Sequence, residues 1–458
     1  MAAVLTFAIA SIPVAALQLA VSVHLPKYFA TNVGLSLVAV GAAFGLVRLI
    51  DIPIDTLLGI AMDRTRTRLG RYRVWVLAGA PVLMLGLYML MLSPSGVGQG
   101  YLIGWLLVMY IGLSMMFLAH LAWGANIAPT YEQRSRIMSA ITGLGVVGSV
   151  AVLLIPVIMD GAGATDAEGI QAMIWFIIIA APVTALLVAR TPERIRVDHG
   201  ARFAVKDYVA LLTRPNVLRV VIADFLFSLG PGWMAALYLF YFVDIGGFTL
   251  AESNLLLMIY IAAGFAGAPF TAWLANRISK HRALMVNTTV YSLSLAVLPF
   301  YPKGEFLVAI PGMFLAGAMF TGFIVMIRAL AGDVGDEARL DNGREWMGLI
   351  YAMLNVTSKL ASAVSIILTY NVLAAIGYDA SPGAVNTPAA MHGLQLAYLI
   401  GPIVFVMIGG GCFIGYKLDS RRHAAIRDEL DARDALALSP AEDGGGVTPG
   451  VTVAPAAR

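Results

Sequence analysis

The chain has 458 residues, 59% of them hydrophobic and only 12% charged, and its mean hydropathy is +0.83. A soluble domain carries about 25% charged residues, so the composition excludes an ordinary soluble domain and points to an all-α membrane protein that partners the lipid bilayer rather than nucleic acid. The net charge of +3 identifies no partner, because in such a chain the sign of charge matters loop by loop. The single cysteine, Cys412, excludes disulfide frameworks and cysteine metal sites and reads as a small core residue.

The opening MAAVLTFAIASIPVAALQLAVSVHLP lacks a basic start, and its apolar stretch exceeds the roughly 7–15 residues of a signal-peptide core. It is read as a first membrane span with essentially no tail before it. A spanning helix needs about 20 mostly apolar residues. Such runs lie near 4–29, 36–62, 74–93, 101–127, 137–159, 170–189, 216–243, 251–276, 283–301, 306–330, 346–376 and 393–417. That predicts twelve transmembrane helices in two sets of six. The expected organisation is an N-terminal six-helix half (1–189), a connector (190–215), a C-terminal six-helix half (216–418) and a tail (419–458). The connector ends in AVKDYVALLTRP, a surface helix stopped by Pro215. The tail begins as a charged helix and ends in a Pro/Gly/Ala-rich stretch expected to be disordered.

Arginine and lysine crowd into 64–73, 134–136, 190–214, 277–282 and the segment after Lys417, whereas the alternate loops hold Lys27 and Lys303 among several acidic residues. By the positive-inside rule both termini are cytoplasmic, as an even number of spans requires. The expected location is a bacterial-type inner membrane. A faint repeat supports two halves: GIAMDR (59–64) ends the second span and AWLANR (272–277) ends the eighth. Parallel repeats of this kind fit the major facilitator fold. Where the first repeat has Asp51 and Asp55, the second has Gly264 and Ala268.

Arg48, Asp51 and Asp55 are spaced by three and four, so they share one helix face. Asp51 lies about ten residues, roughly 15 Å, from the cytoplasmic end, too deep for its carboxylate to reach water. Unpaired charge there costs several kcal/mol, so the face must meet water or counter-charges. Pro53 between the carboxylates frees a carbonyl and predicts a kink. A static Arg48–Asp51 pair is the structural alternative, but it leaves the second carboxylate unexplained. Asp224 in the seventh span and Lys359 in the eleventh are lone charges in apolar helices. Lys359 is expected to approach Asp51 and Asp55 across the halves, which couples their proton affinities; a static pair is again the alternative. His24 and His120 fit hydrogen-bonded packing better than a proton relay. Gln18, Phe117, His120, Asp224, Tyr238 and Asn355 are candidate cavity residues, with Trp123, Asn126, Trp233 and Tyr241 as further polar or aromatic candidates. Nothing reads as a P-loop, nucleophile elbow or zinc motif, so neither an enzyme nor an ATP-driven pump is expected.

The run DIPIDTLLGIAMDRTRTRLGRYRVWVLAGAP resembles the glycoside–pentoside–hexuronide:cation symporters, the melibiose-permease branch of the major facilitator superfamily. AWGANIAPTYEQRSRIM and RALAGDVGDEARLDNGREWMGLIYAMLNVTSKLASA extend the resemblance into both halves. It implies a cation site at Asp51 and Asp55 beside Arg48, joined by Ser114, with Lys359 between the cation and sugar sites. It further implies that Asp63, Arg64, Glu132, Arg134, Arg136, Asp333, Asp336 and Glu345 are cytoplasmic gate charges holding the halves together. Without the resemblance, those loop charges would be solvated faces worth little.

Three departures shape the expectation. Ile54 stands where the family often has an asparagine that offers an oxygen to sodium, so a proton is favoured over Na⁺ as the coupling ion. The family's two sugar-gripping aspartates fall near Ala15 or Ala16 and at Phe117. The reading is therefore a monomeric symporter with alternating access, coupling a proton, or Na⁺ at Asp51 and Asp55, to a sugar- or glycoside-like small molecule without any cofactor. A carrier of amphipathic cargo such as a lysolipid or drug-like compound is the first alternative, favoured if an apolar cavity surrounds Phe117. A non-transporting membrane receptor or scaffold is the second.

Overall fold

The computed structural model describes residues 2–93, 96–127, 131–193, 205–381 and 383–438. Among these residues all regular structure is helical, which satisfies each segment's backbone hydrogen bonds where no water is available. Twelve helices are long and apolar enough to cross a membrane: Val4–Thr31, Leu37–Arg64, Arg73–Met91, Gln99–Ile127, Arg136–Gly161, Asp166–Val188, Pro215–Ile245, Leu250–Ile278, Lys280–Phe300, Phe306–Asn342, Met347–Ala375 and Pro388–Gly411. They are the first to twelfth spans below.

Several ends are set by local chemistry. Thr165 and Thr249 open the sixth and eighth spans, each in a reciprocal capping box with Glu168 or Glu252. Thr387 caps the twelfth span, with Pro388 in its first turn, so that helix starts earlier than its hydropathy predicts and ends at Gly411. The tenth helix runs on to Asn342, well past the apolar stretch, because nothing interrupts it before Gly343 (φ 66°). A left-handed glycine is the usual helix terminator. The second helix runs through Pro53 without interruption. The first and seventh spans contain π-helical segments, Ala20–His24 and Phe240–Ile245, and the eighth is divided at Ala263 into Leu250–Ala262 and Gly264–Ile278.

A helix at Val205–Leu212 precedes the seventh span, where the connector was expected to hold one; residues 194–204 lie outside the described residues. The tail helix Ser420–Leu438 packs on the end of the tenth span. His423 Nε2 lies 3.0 Å from an Asp336 oxygen and 3.3 Å from one of Asp333, and Arg339 donates to Asp434 at 3.0 Å. The disorder expected after this helix concerns residues 439–458, which are outside the described part.

Among the described residues three interfaces join spans 1–6 to spans 7–12: the second packs against the eleventh, the fifth against the eighth, and the first against the seventh. They are closest on the face away from the basic loops. The fifth span meets the eighth chiefly through Leu250–Ala262, and the first meets the seventh chiefly through Ala20–Thr31. Four polar contacts bind that face. His24 Nε2 is 2.8 Å from Asn254 Oδ1, Lys27 Nζ donates to the Leu239 carbonyl at 3.0 Å and pairs with Asp244 at 3.7 Å, and Tyr378 donates to Asp244 at 2.5 Å. The bundle is thus closed on that face and parts toward the basic face.

Close approach of the second and eleventh spans depends on glycine. A Cβ at Gly41 would stand 2.6 Å from Tyr370 Cβ and 3.2 Å from the Ile366 carbonyl. Gly41→Ala is therefore expected to destabilise the fold by about 1–3 kcal/mol, seen as a lower melting temperature of the purified protein. Gly104→Ala, where a Cβ meets nothing within 4 Å, should leave that temperature unchanged or slightly raised.

Candidate functional site

The second span places Asp51 midway along its length and Asp55 one turn closer to the basic face. Asp51 is 2% exposed. Its Oδ1 accepts a hydrogen bond from Ser114 Oγ of the fourth span at 3.0 Å. Its Oδ2 accepts one at 2.6 Å from Lys359 Nζ, which reaches across from the eleventh span. The same ammonium donates to Asp55 Oδ2. Asp55 Oδ1 is buried and accepts from no described residue. One ammonium therefore faces two carboxylates across the interface between the halves.

Arg48 completes the face differently from the static pair considered above. Its guanidinium stacks 4.6 Å from the Tyr110 ring centroid, and among the described residues no carboxylate is within ion-pair distance of it. The Arg48–Asp51 pairing is thus replaced by Lys359–Asp51, because the helix turn carries Arg48 toward the central cavity and Asp51 toward the eleventh span.

Magnitudes explain why such a triad can switch. Desolvating each ion costs several kcal/mol, whereas a unit-charge contact at 4 Å returns about 4 kcal/mol at an effective dielectric of 20. The terms nearly cancel. A proton or a cation added to the two carboxylates would remove much of what holds Lys359.

Beside the triad lies a central cavity of about 400 Å³. Spans 1–6 contribute Val21, Ser22, Phe44, Arg48 and Tyr110 to its wall. The seventh span contributes Asp224, Phe227 and Ser228, the tenth Phe320, Phe323 and Arg328, and the eleventh Ser358, Ser362 and Ser365. Asp224 Oδ2 accepts from Thr357 Oγ1 at 2.6 Å and Ser358 Oγ at 3.0 Å. Phe227 and Phe323 stack with centroids 4.9 Å apart. Arg328 and Tyr351 are in cation–π contact at 5.6 Å.

Of the six candidate cavity residues, Asp224 lines this cavity and the others do not. His120 is buried and bonded to the Phe7 carbonyl at 2.8 Å, with the Phe7 ring stacked on it. Tyr238 is buried and donates to the Ser253 carbonyl. Phe117 packs against the hydrophobic core and is not part of the wall of the central cavity. Gln18 is half-buried and offers its backbone carbonyl to Ser22; Asn355 is exposed. In each case helix register turned a polar or aromatic side chain away from the centre. Of the further candidates, Trp123 is core, Trp233 donates to the Ala397 carbonyl, and Tyr241 stacks on Tyr398. Asn126 donates to the Tyr72 hydroxyl.

Among the described residues, the expected gate charges do not join the halves. Asp63 pairs with Arg71, Glu132 with Arg136 one turn along the same helix, and Glu345 with Arg339. Asp333 pairs with Lys280, and Asp336 with the tail's His423 and Arg427. Arg64 is exposed and among the described residues has no ion-pair partner; the Arg134 side chain lies outside the described residues. The reason is geometric: the bundle is parted on the face where these charges lie, so those that pair do so within their own half or with the tail helix. Sequence reasoning missed Arg328 and the Thr357–Ser358 pair on Asp224, although the run TSK at 357–359 inside an apolar helix was a readable signal.

Twelve spans in two sets of six, a cavity between them and a charged contact across them define a membrane carrier of the major facilitator fold. The chain belongs to the family described as MFS/sugar transport protein, whose profile matches residues 6–420. It is 23% identical to the Isoprimeverose transporter of Lactiplantibacillus pentosus over 92% of this chain and 90% of that one. It is 24% identical to the Putative glycoside/cation symporter YagG of Escherichia coli strain K12 over 89% and 90%. It also resembles the Uncharacterized symporter YnaJ of Bacillus subtilis strain 168, at 23% over 92% and 93%. Among solved structures, the nucleoside transporter NupG superposes with a TM-score of 0.67 at 12% identity, covering 91% of this chain and all of that one. A bacterial homolog of the human lysosomal transporter Spinster, in an inward-facing and unoccupied conformation, gives 0.65 at 12% over 94% and 96%.

Ser114 donates one hydrogen bond to a carboxylate that Lys359 also holds. Ser114→Ala should cost about 1.5–3 kcal/mol of ion binding, a weakening of roughly tenfold to a hundredfold rather than a loss, measured as the shift in half-saturating ion concentration for transport.

Proposed function

We propose that this chain is a cation-coupled symporter of a sugar- or glycoside-like molecule, with a proton as the favoured coupling ion at Asp51 and Asp55. The carrying observation is the Lys359 ammonium shared by both carboxylates across the halves. The family and the names of the relatives support a sugar-like cargo. The hydroxyl-rich cavity beside the triad, with the aromatic faces of Phe227 and Phe323, suits that chemistry. Ile54 offers no oxygen to a metal ion, and a proton needs only one carboxylate, which favours H⁺ over Na⁺.

In this reading the chain lies in a bacterial-type inner membrane with both termini and the basic face cytoplasmic, and the conformation described is open to the cytoplasm. Protonation of the carboxylates from the opposite side loosens Lys359, substrate fills the cavity, and the loaded carrier reorients. In the cytoplasm-facing form, proton loss restores the Lys359 contacts. Lys27 with Asp244, and His24 with Asn254, act as the outer closure that must break before the next cycle.

The test is uptake into proteoliposomes against a panel of isoprimeverose, lactose and a glucuronide, with imposed pH or Na⁺ gradients. Asp51→Asn is expected to abolish uphill accumulation while retaining downhill exchange of the transported sugar. Wild-type accumulation by this variant would sink the proposal. Lys27→Ala should populate the outward-open form. On a Cys412→Ser background, a thiol introduced by Val21→Cys in the cavity wall should then react several-fold faster with an impermeant reagent added outside.

A further inference from the structure

Three consecutive residues of the eleventh span serve two sites at once. Thr357 and Ser358 hold Asp224 Oδ2 at 2.6 and 3.0 Å, and Lys359 holds Asp51 and Asp55. Asp224 is 7% exposed and lines the central cavity. Its Oδ1 accepts no hydrogen bond from a described residue, and no lysine or arginine lies within ion-pair distance of it among those residues. The carboxylate is therefore tied at one oxygen to the turn that carries Lys359 and open at the other.

An ionised carboxylate accepts hydrogen bonds only, and bonds to it are about twice as strong as neutral ones. A free carboxylate oxygen in a cavity flanked by the stacked rings of Phe227 and Phe323 is suited to a molecule that presents hydroxyl donors beside an apolar face. The two aspartates that the resemblance associates with sugar binding are absent from the first and fourth spans. Asp224 supplies an equivalent group from the opposite half.

We propose that Asp224 is the substrate-binding carboxylate of this carrier, and that the Thr357–Ser358–Lys359 turn transmits its occupancy to Asp51 and Asp55. A substrate hydroxyl on Oδ1 draws Asp224 toward the cavity, and Thr357 and Ser358 follow it. Lys359 belongs to the same rigid turn, so its short contacts with the paired carboxylates change with theirs. Linkage makes the effect reciprocal: whatever factor the bound ion adds to substrate affinity, substrate adds to ion affinity. This inference rests on the symport reading.

The experiment measures KM and maximal rate of sugar exchange in proteoliposomes across a pH series, using whichever of isoprimeverose, lactose or the glucuronide the wild type accumulates. The wild type should show a KM that changes by roughly 5–150-fold between proton-replete and proton-poor conditions, the usual range of such couplings. Asp224→Asn should raise KM at least about tenfold with little change in maximal rate, and Asp224→Glu should recover part of the loss. Thr357→Val combined with Ser358→Ala should also raise KM, because Ser358 lines the cavity, but it should flatten the pH dependence of KM to about twofold or less, since it removes the tie while keeping Asp224 and the paired carboxylates. Asp224→Asn with a wild-type KM overturns the substrate role, and a double variant with the full pH dependence overturns the transmission. If the wild type moves no panel sugar, or shows no linkage to either ion, the symport reading itself fails and takes this inference with it. Melting curves of each purified variant separate misfolding from these outcomes.

Discussion

Everything in this molecule is arranged around one charged contact in the middle of a low-dielectric bundle. Asp51 and Asp55 cannot remain ionised there without a counter-charge, and Lys359 cannot remain ionised without them. Because the partners come from different halves, satisfying the electrostatics also holds the halves together at mid-membrane. Asp51 is 2% exposed, and Asp55 and Lys359 only 17% and 27%, so water replaces little of this contact. A surface pair with the same distances would carry almost no such leverage.

The two halves divide the chemistry. The second span carries the carboxylates, whereas the matching stretch of the eighth is built for close packing: a Cβ at Gly264 would meet Thr321 Oγ1 at 2.5 Å, and one at Gly267 the Ala318 carbonyl at 2.0 Å. Most of the cavity wall in turn belongs to the seventh, tenth and eleventh spans. The paired carboxylates thus sit in one half and most of the cavity wall in the other, and the eleventh span touches both.

Closure on one face and separation on the other account for where the remaining charges go. On the closed face, Lys27, Asp244, His24 and Asn254 meet across the halves, helped by π-helical segments that widen the first and seventh spans there. On the basic face, Asp63, Glu132, Asp333, Asp336 and Glu345 pair locally, and the tail helix takes up part of Asp333 and Asp336. The same side chains would meet different partners if the basic face closed.

Sequence alone determined the membrane class, the twelve spans and the two sets of six, because a backbone in hydrocarbon must satisfy its own hydrogen bonds, which continuous apolar runs of some twenty residues do as helices. It also singled out Asp51, Asp55 and Lys359, since a charge in an apolar helix is visible without coordinates, whereas Ser114, uncharged, was marked only by the family resemblance. Gln18, Phe117, His120, Tyr238 and Asn355 show where that legibility stops. Whether a polar or aromatic side chain faces the cavity, the core or the lipid depends on the rotation of its helix against neighbours far away in the chain. Residue type carries no record of that rotation. Tertiary structure alone decided that Arg48 lies on Tyr110 rather than on Asp51, that Arg328 joins the cavity, and that Thr357 and Ser358 hold Asp224 next to Lys359. It also decided which gate charges were within reach of one another, because that depends on how far the halves have opened, a property of their packing and not of their composition.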